Sequence, residues 1–95
     1  MTRTPSEKSI VDAITKYLRI KGAYVVKQHG SQYGRAGVPD LLVCYKGRFF
    51  AFEVKKPEGT VSMLQKIEIG RVQDAGGIAC VVYGVEQVKG ILNGS

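Results

Sequence analysis

The sequence predicts an α/β (α+β) fold, a mixed sheet flanked by helices in the order α-β-β-β-α-β-α. Three observations carry that expectation. One N-terminal stretch repeats its apolar residues at helical spacing, and a later stretch opens on a capping pattern and closes on paired glycines. Between and after them lie short β-branched and aromatic runs punctuated by glycine and proline. Ninety-five residues suit one domain spanning 1–95.

Thr4-Pro5-Ser6-Glu7 reads as a helix start, with Thr4 as N-cap, Pro5 at the first helical position and Glu7 closing a capping box. Ile10, Val11, Ile14 and Leu18 form the apolar stripe, and Gly22 stops the helix. Ala23–Lys27 reads as a short strand, followed by a glycine-rich polar loop over His29–Gly37. Pro39–Tyr45 and Arg48–Lys55 are the arms of a hairpin turning at Lys46-Gly47. Pro57-Glu58-Gly59 breaks the second arm. Ser62-Met63-Leu64-Gln65 is a second capping box, opening a helix that runs to Gly76-Gly77. Ile78–Tyr83 is almost wholly apolar, as expected of a strand buried on both faces, and Val85–Leu92 closes the chain as a short helix.

Composition narrows the function classes. Fourteen Lys and Arg against eight Asp and Glu leave a net charge of +6, which favours a polyanionic partner. A chain of this length buries roughly 60–65% of the surface its unfolded form exposes, so a second copy would help shield a thin core. Cys44 and Cys80 sit in apolar runs without the close Cys or His partners of a zinc site, and read as reduced, buried thiols. No run approaches the ~20 apolar residues of a membrane span, and the first residues lack a signal peptide's apolar core. The expected location is therefore the cytoplasm, with no membrane partner.

The segment that carries chemistry is Asp40, the hairpin, then Glu53-Val54-Lys55. Side chains alternate along a strand, so Glu53 and Lys55 share a face about 7 Å apart while Val54 points into the core. A polar-core-polar pattern inside an otherwise apolar strand is costly unless the polar groups are put to use. With the turn at Lys46-Gly47, residues facing each other sum to about 93, which brings Asp40 opposite Glu53. Two adjacent carboxylates repel, and a hard divalent cation such as Mg²⁺ or Mn²⁺ relieves that repulsion while keeping waters for chemistry. Lys55 beside the ion would orient or deprotonate a water, or stabilise charge on a phosphoryl group.

Pro39-Asp40 followed by Glu53-x-Lys55 resembles the PD-(D/E)xK nuclease superfamily. Gly37-Val38-Pro39-Asp40-Leu41, Glu53-Val54-Lys55, Gln65 and an N-terminal helix bearing Glu7 resemble, more narrowly, the short stand-alone VRR-NUC domains of phage and bacterial type. The resemblance spans Glu7 to Val82, although no Val-Arg-Arg tripeptide occurs. It implies a restriction-endonuclease-like fold and Mg²⁺- or Mn²⁺-dependent phosphodiester hydrolysis. It also implies a homodimer acting on branched DNA, as Holliday-junction resolvases do. Residue by residue, it makes Asp40, Glu53 and the Val54 carbonyl metal ligands and Lys55 the catalytic lysine. Glu7 would reach the metal directly or through a water, and Gln65 would position the lysine or the attacking water. Glu7 and Gln65 also sit where capping boxes place helix-end hydrogen bonders, so the residues alone leave both roles open.

Ser31, Tyr33 and Arg35, in the loop before Asp40, are candidates to meet a DNA backbone. Lys8, Lys27 and Lys56 border the same edge, and His29 reads as a phosphate contact or a solvated loop residue. The rival readings are a nuclease of flap, nicking or restriction-like specificity, and a non-catalytic DNA-binding module.

Overall fold

The computed structural model describes residues 5–28 and 35–94. Within them run α1 (Glu7–Ile20), β1 (Tyr24–Lys27), β2 (Leu41–Tyr45), β3 (Arg48–Val54), α2 (Met63–Asp74), β4 (Ile78–Val82) and α3 (Val85–Gly94). This is the expected α-β-β-β-α-β-α order. The sheet order is β1-β2-β3-β4, with the first two pairings antiparallel and β3-β4 parallel. A parallel pair needs a crossover connection, and α2 supplies it.

The hairpin forms where the turn chemistry demands it. Lys46 and Gly47 both have positive φ, at 50° and 77°, the signature of a two-residue type I′ turn. That turn fixes the register: Leu41 faces Phe52, Val43 faces Phe50 and Tyr45 faces Arg48. Those six side chains share one face of the sheet. Leu41, Val43, Phe50 and Phe52 pack there with Ile10, Ile14 and Leu18 of α1 and Val88 and Leu92 of α3 as the core. The opposite face carries Leu42, Cys44, Phe49, Ala51 and Glu53, and α2 flanks it on the β3-β4 side.

The helix ends follow local chemistry, with one departure from expectation. The N-cap of α1 is Ser6, not Thr4; its hydroxyl accepts the Ser9 N–H at 3.1 Å, and Pro5 precedes the helix. Ser is the stronger cap, and capping at Ser6 makes Glu7 the first helical residue, so its carboxylate is not the third-position partner of a capping box. Thr4 lies outside the described residues. Both α1 and α2 end in Schellman geometry: Ala23 N–H reaches Leu18 O, and Gly77 N–H reaches Val72 O. At Gly77 a Cβ would sit 2.7 Å from Val72 Cγ1, so glycine is required for the turn to tuck under α2.

Two burial expectations are corrected. β4 is an edge strand and only half-covered: Ala79 and Val82 are buried while Ile78, Cys80 and Val81 are intermediate. Its outward carbonyls are satisfied by side chains, Gln73 Nε2 donating to Ala79 O and Gln87 Nε2 to Val81 O. Cys44, expected inside, is exposed because it points from the face that no helix covers at β1-β2. Cys44 and Cys80 are both free thiols.

Candidate active site

Asp40 sits one residue before β2 and Glu53 one residue before the end of β3, on the extension of the hairpin register. Asp40 Oδ2 accepts the Val54 backbone N–H at 2.8 Å, which ties the two strand ends together. Glu53 is 2% exposed. Its Oε2 accepts from Gln65 Nε2 at 3.1 Å, while its Oε1 is buried and as a carboxylate oxygen accepts no hydrogen bond among the described residues. Burial drives the Glu53 carboxyl up to about 8, and the adjacent Asp40 carboxylate adds to the shift by repulsion and by hydrogen bonding to the protonated form. Lys55 opposes it, and Glu7 reinforces it at longer range.

Lys55 follows β3 and keeps the sheet ladder going, its N–H donating to Val82 O. Its side chain is 12% exposed, and Nζ lies 3.8 Å from Glu53 Oε2. That distance is an ion pair but too long for a hydrogen bond, so among the described residues the three ammonium donors are left for another partner. The turn after β3 folds over the lysine stem: a Cβ on Gly59 would meet Lys55 Cδ at 3.3 Å.

Gln65 completes the capping box and also reaches the site, at Glu53 and not at Lys55. Its Oε1 accepts the Ser62 N–H at 2.8 Å, completing the capping box, and its Nε2 holds Glu53. The segment leading to Asp40 is locked to the same helix turn. Gly37 has φ +87°, and a Cβ there would lie 2.6 Å from Leu64 O, so only glycine permits this backbone approach. Glu7 lines a cleft with Lys8, Asp12, Lys27 and Asp40.

The donor set suits a hard cation. Two carboxylates, one carrying an orphaned buried oxygen, are what a divalent ion such as Mg²⁺ takes from protein while keeping its waters. Among the described residues no group of three or more acidic, histidine or cysteine side chains converges to hold a metal, so Glu7 is not drawn in as a third carboxylate. Its place in the cleft suits contact through water.

No family sequence model matches the chain, and no curated protein matches it. Solved structures do. A chain titled VRR_NUC domain is 28% identical, covering 92% of this chain and 94% of its own length with a TM-score of 0.75. A VRR_NUC domain protein, 18% identical, covers 96% of this chain and 88% of its own at a TM-score of 0.78. The chain has the VRR-NUC fold. The resemblance read from Pro39-Asp40 and Glu53-x-Lys55 therefore extends to the path of the backbone. Hjc, a Holliday junction resolvase from the archaeal hyperthermophile Archaeoglobus fulgidus, shares it at a TM-score of 0.62, with 16% identity over 81% of this chain and 67% of its own. The restriction-endonuclease-like arrangement expected from the sequence is the one present.

Within this VRR-NUC fold the expected DNA-contacting residues separate. Ser31, Tyr33 and His29 lie outside the described residues. Lys8 and Lys27 both bind Asp12, at 3.0 and 2.7 Å, on the rim of the Glu7-Asp40 cleft. Hydrogen bonds from Lys27 and then Lys8 hold the Asp12 carboxyl below its ordinary range. Lys56 is half-buried just past Lys55. Arg35 is paired with the buried Glu68 of α2 at 2.6 Å. Sequence reasoning passed over Asp12 and Glu68. The Lys8-Asp12 spacing was a visible signal, whereas the Arg35-Glu68 pair spans 33 residues and leaves no local trace. Among the described residues no helix is long and apolar enough to cross a membrane.

Proposed function

We propose that this protein is a divalent-metal-dependent endonuclease that hydrolyses DNA phosphodiester bonds. The observation that carries the proposal is the buried Asp40-Glu53 pair with its orphaned Glu53 Oε1, lysine beside it. Such an arrangement is electrostatically unfavourable by itself and becomes favourable around Mg²⁺ or Mn²⁺. Asp40, Glu53 and the Val54 carbonyl would hold the ion, with Glu7 acting through water. The ion would supply positive charge to polarise the scissile phosphate and lower the pKa of a nearby water. Lys55 Nζ places a mobile cation where charge grows on the phosphoryl oxygens, and its N–H donors orient the attacking water. Gln65 fixes the Glu53 carboxylate with one end of its amide and the start of α2 with the other. The net charge of +6 favours a polyanionic substrate.

Branched DNA and a homodimer complete the proposal. The printed description of Hjc as a Holliday junction resolvase supports this substrate class. The uncovered sheet face supports self-association: Tyr24 is 70% and Phe49 45% exposed, and with Val26, Leu42 and Cys44 they line an apolar hollow. A two-fold dimer burying this face would match the approximate two-fold symmetry of a four-way junction. Incubating the protein and Mg²⁺ with a labelled four-way junction, a flap and plain duplex tests the assignment. Paired nicks in the junction are expected; preferential cutting of flap or duplex would remove the resolvase part of the reading.

A further inference from the structure

An open groove runs between the hairpin tip and the second half of α2, away from Asp40 and Glu53; Arg35 and Arg71 line its wall, and Arg48 stands at its rim where β3 leaves the turn, rooted on the other face of the sheet. Their arrangement is held from below. The Glu68 carboxylate is 7% exposed and accepts from Arg35 Nη2 at 2.6 Å and from Arg71 Nη1 at 3.1 Å. Each guanidinium has five N–H donors, so one bond to Glu68 orients it without exhausting it. Both arginine side chains remain largely in solvent. Arg48 opens β3 at the surface, and its side chain has no ion-pair or hydrogen-bond partner among the described residues. Three cations against one anion leave the groove positive. Guanidinium forks match phosphate oxygens, whereas the core of a protein-protein contact is depleted of charge.

The groove continues the wall that holds the active site. Phe49 and Glu53 lie four residues apart on β3, hence on one face and about 13 Å apart along the strand. The helix runs beside them, from Gln65 on Glu53 to Val72 where Gly77 packs between it and Phe49. We propose that Arg35, Arg48 and Arg71 bind the sugar-phosphate backbone of the substrate nucleic acid, about four nucleotide rises from the scissile phosphate at the Asp40-Glu53 centre. This rests on the nuclease reading, and it assigns a second contact region that determines affinity rather than chemistry.

The test uses Arg48→Gln, which breaks no described contact, and the double variant Arg48→Gln/Arg71→Gln. Binding to a labelled duplex and a labelled four-way junction is measured across a KCl series, with Ca²⁺ replacing Mg²⁺ to withhold cleavage. Each lost phosphate contact should flatten the slope of log K against log salt by about 0.9, so by about 1.8 in the double variant. Cleavage at saturating DNA in Mg²⁺ should stay within about twofold of wild type, since neither residue touches Asp40, Glu53 or Lys55. Unchanged slopes and affinities, with Lys55→Ala still abolishing cleavage, would overturn the groove while leaving the nuclease reading intact. A change in oligomeric size without a change in DNA affinity would overturn it in favour of a self-contact. A wild-type protein that neither binds nor cuts any of these DNAs would overturn both.

Discussion

Replacing Glu53 by glutamine should make the metal-free protein more stable and catalytically inactive. The carboxyl of Glu53 is pushed from 4.5 up to about 8, chiefly by burial and next by Asp40, and one of its oxygens has no partner. A raised folded-state pKa means that the folded chain holds the proton more tightly than the unfolded one. The associated stability is intact below pH 4.5 and is lost progressively as the pH rises towards 8. At about 1.4 kcal/mol per pH unit, holding this group at pH 7 rather than 4.5 costs about 3 kcal/mol. Glutamine has the same shape and no proton to bind, and it retains an oxygen for Gln65 Nε2. In EDTA at pH 7 the variant should therefore melt about 10 °C or more above wild type, given several degrees per kcal/mol in a domain this small. The gap should shrink towards pH 4.5, and Mg²⁺ should narrow it at pH 8 by stabilising wild type alone. Thermal melts at pH 4.5, 7 and 8, with EDTA and with Mg²⁺, read all of this. A variant no more stable than wild type at pH 8 in EDTA, or a gap that ignores pH, would refute the reasoning.

Other outcomes follow from the same contacts. Gln65→Ala should lose about 0.5–2 kcal/mol of stability with the capping box and also lower kcat, whereas Ser62→Ala should lose comparable stability and keep kcat; urea titrations and single-turnover cleavage separate the two. Gly37→Ala places a Cβ 2.6 Å from Leu64 O at a φ of +87°, and should cost about 1–3 kcal/mol by urea titration while misplacing Asp40. Leu42→Glu puts a charge on the uncovered sheet face and should convert the proposed dimer to monomer by light scattering; a wild-type protein that is already monomeric at working concentration contradicts that proposal.

What the sequence made legible was mostly local. The Lys46-Gly47 turn permits one register, and that register alone places Asp40 against Glu53, so the centre of the site was readable from two strands and a turn. Gln65 was half-legible: the capping box was visible, but a carboxamide has two ends, and the use of the second depends on how α2 crosses β3. At the N-terminus the sequence pattern pointed to Thr4 as the cap, whereas the cap is Ser6, whose hydroxyl takes the Ser9 N–H. The exposure of Cys44 was not readable, because an apolar strand facing a helix and one facing a partner or solvent share the same alternation. The same holds for Arg35 and Glu68, joined by folding and not by spacing.

The central claim is that Asp40, Glu53 and Lys55 form one ion-dependent catalytic centre, and the cleavage rate of a labelled four-way junction by wild type and Lys55→Ala tests it most directly. The expected result is cleavage by wild type in Mg²⁺, none in EDTA, and a rate at least about 10²-fold lower in Lys55→Ala with DNA affinity unchanged. Cleavage that persists in EDTA, or that Lys55→Ala leaves at the wild-type rate, would contradict the account.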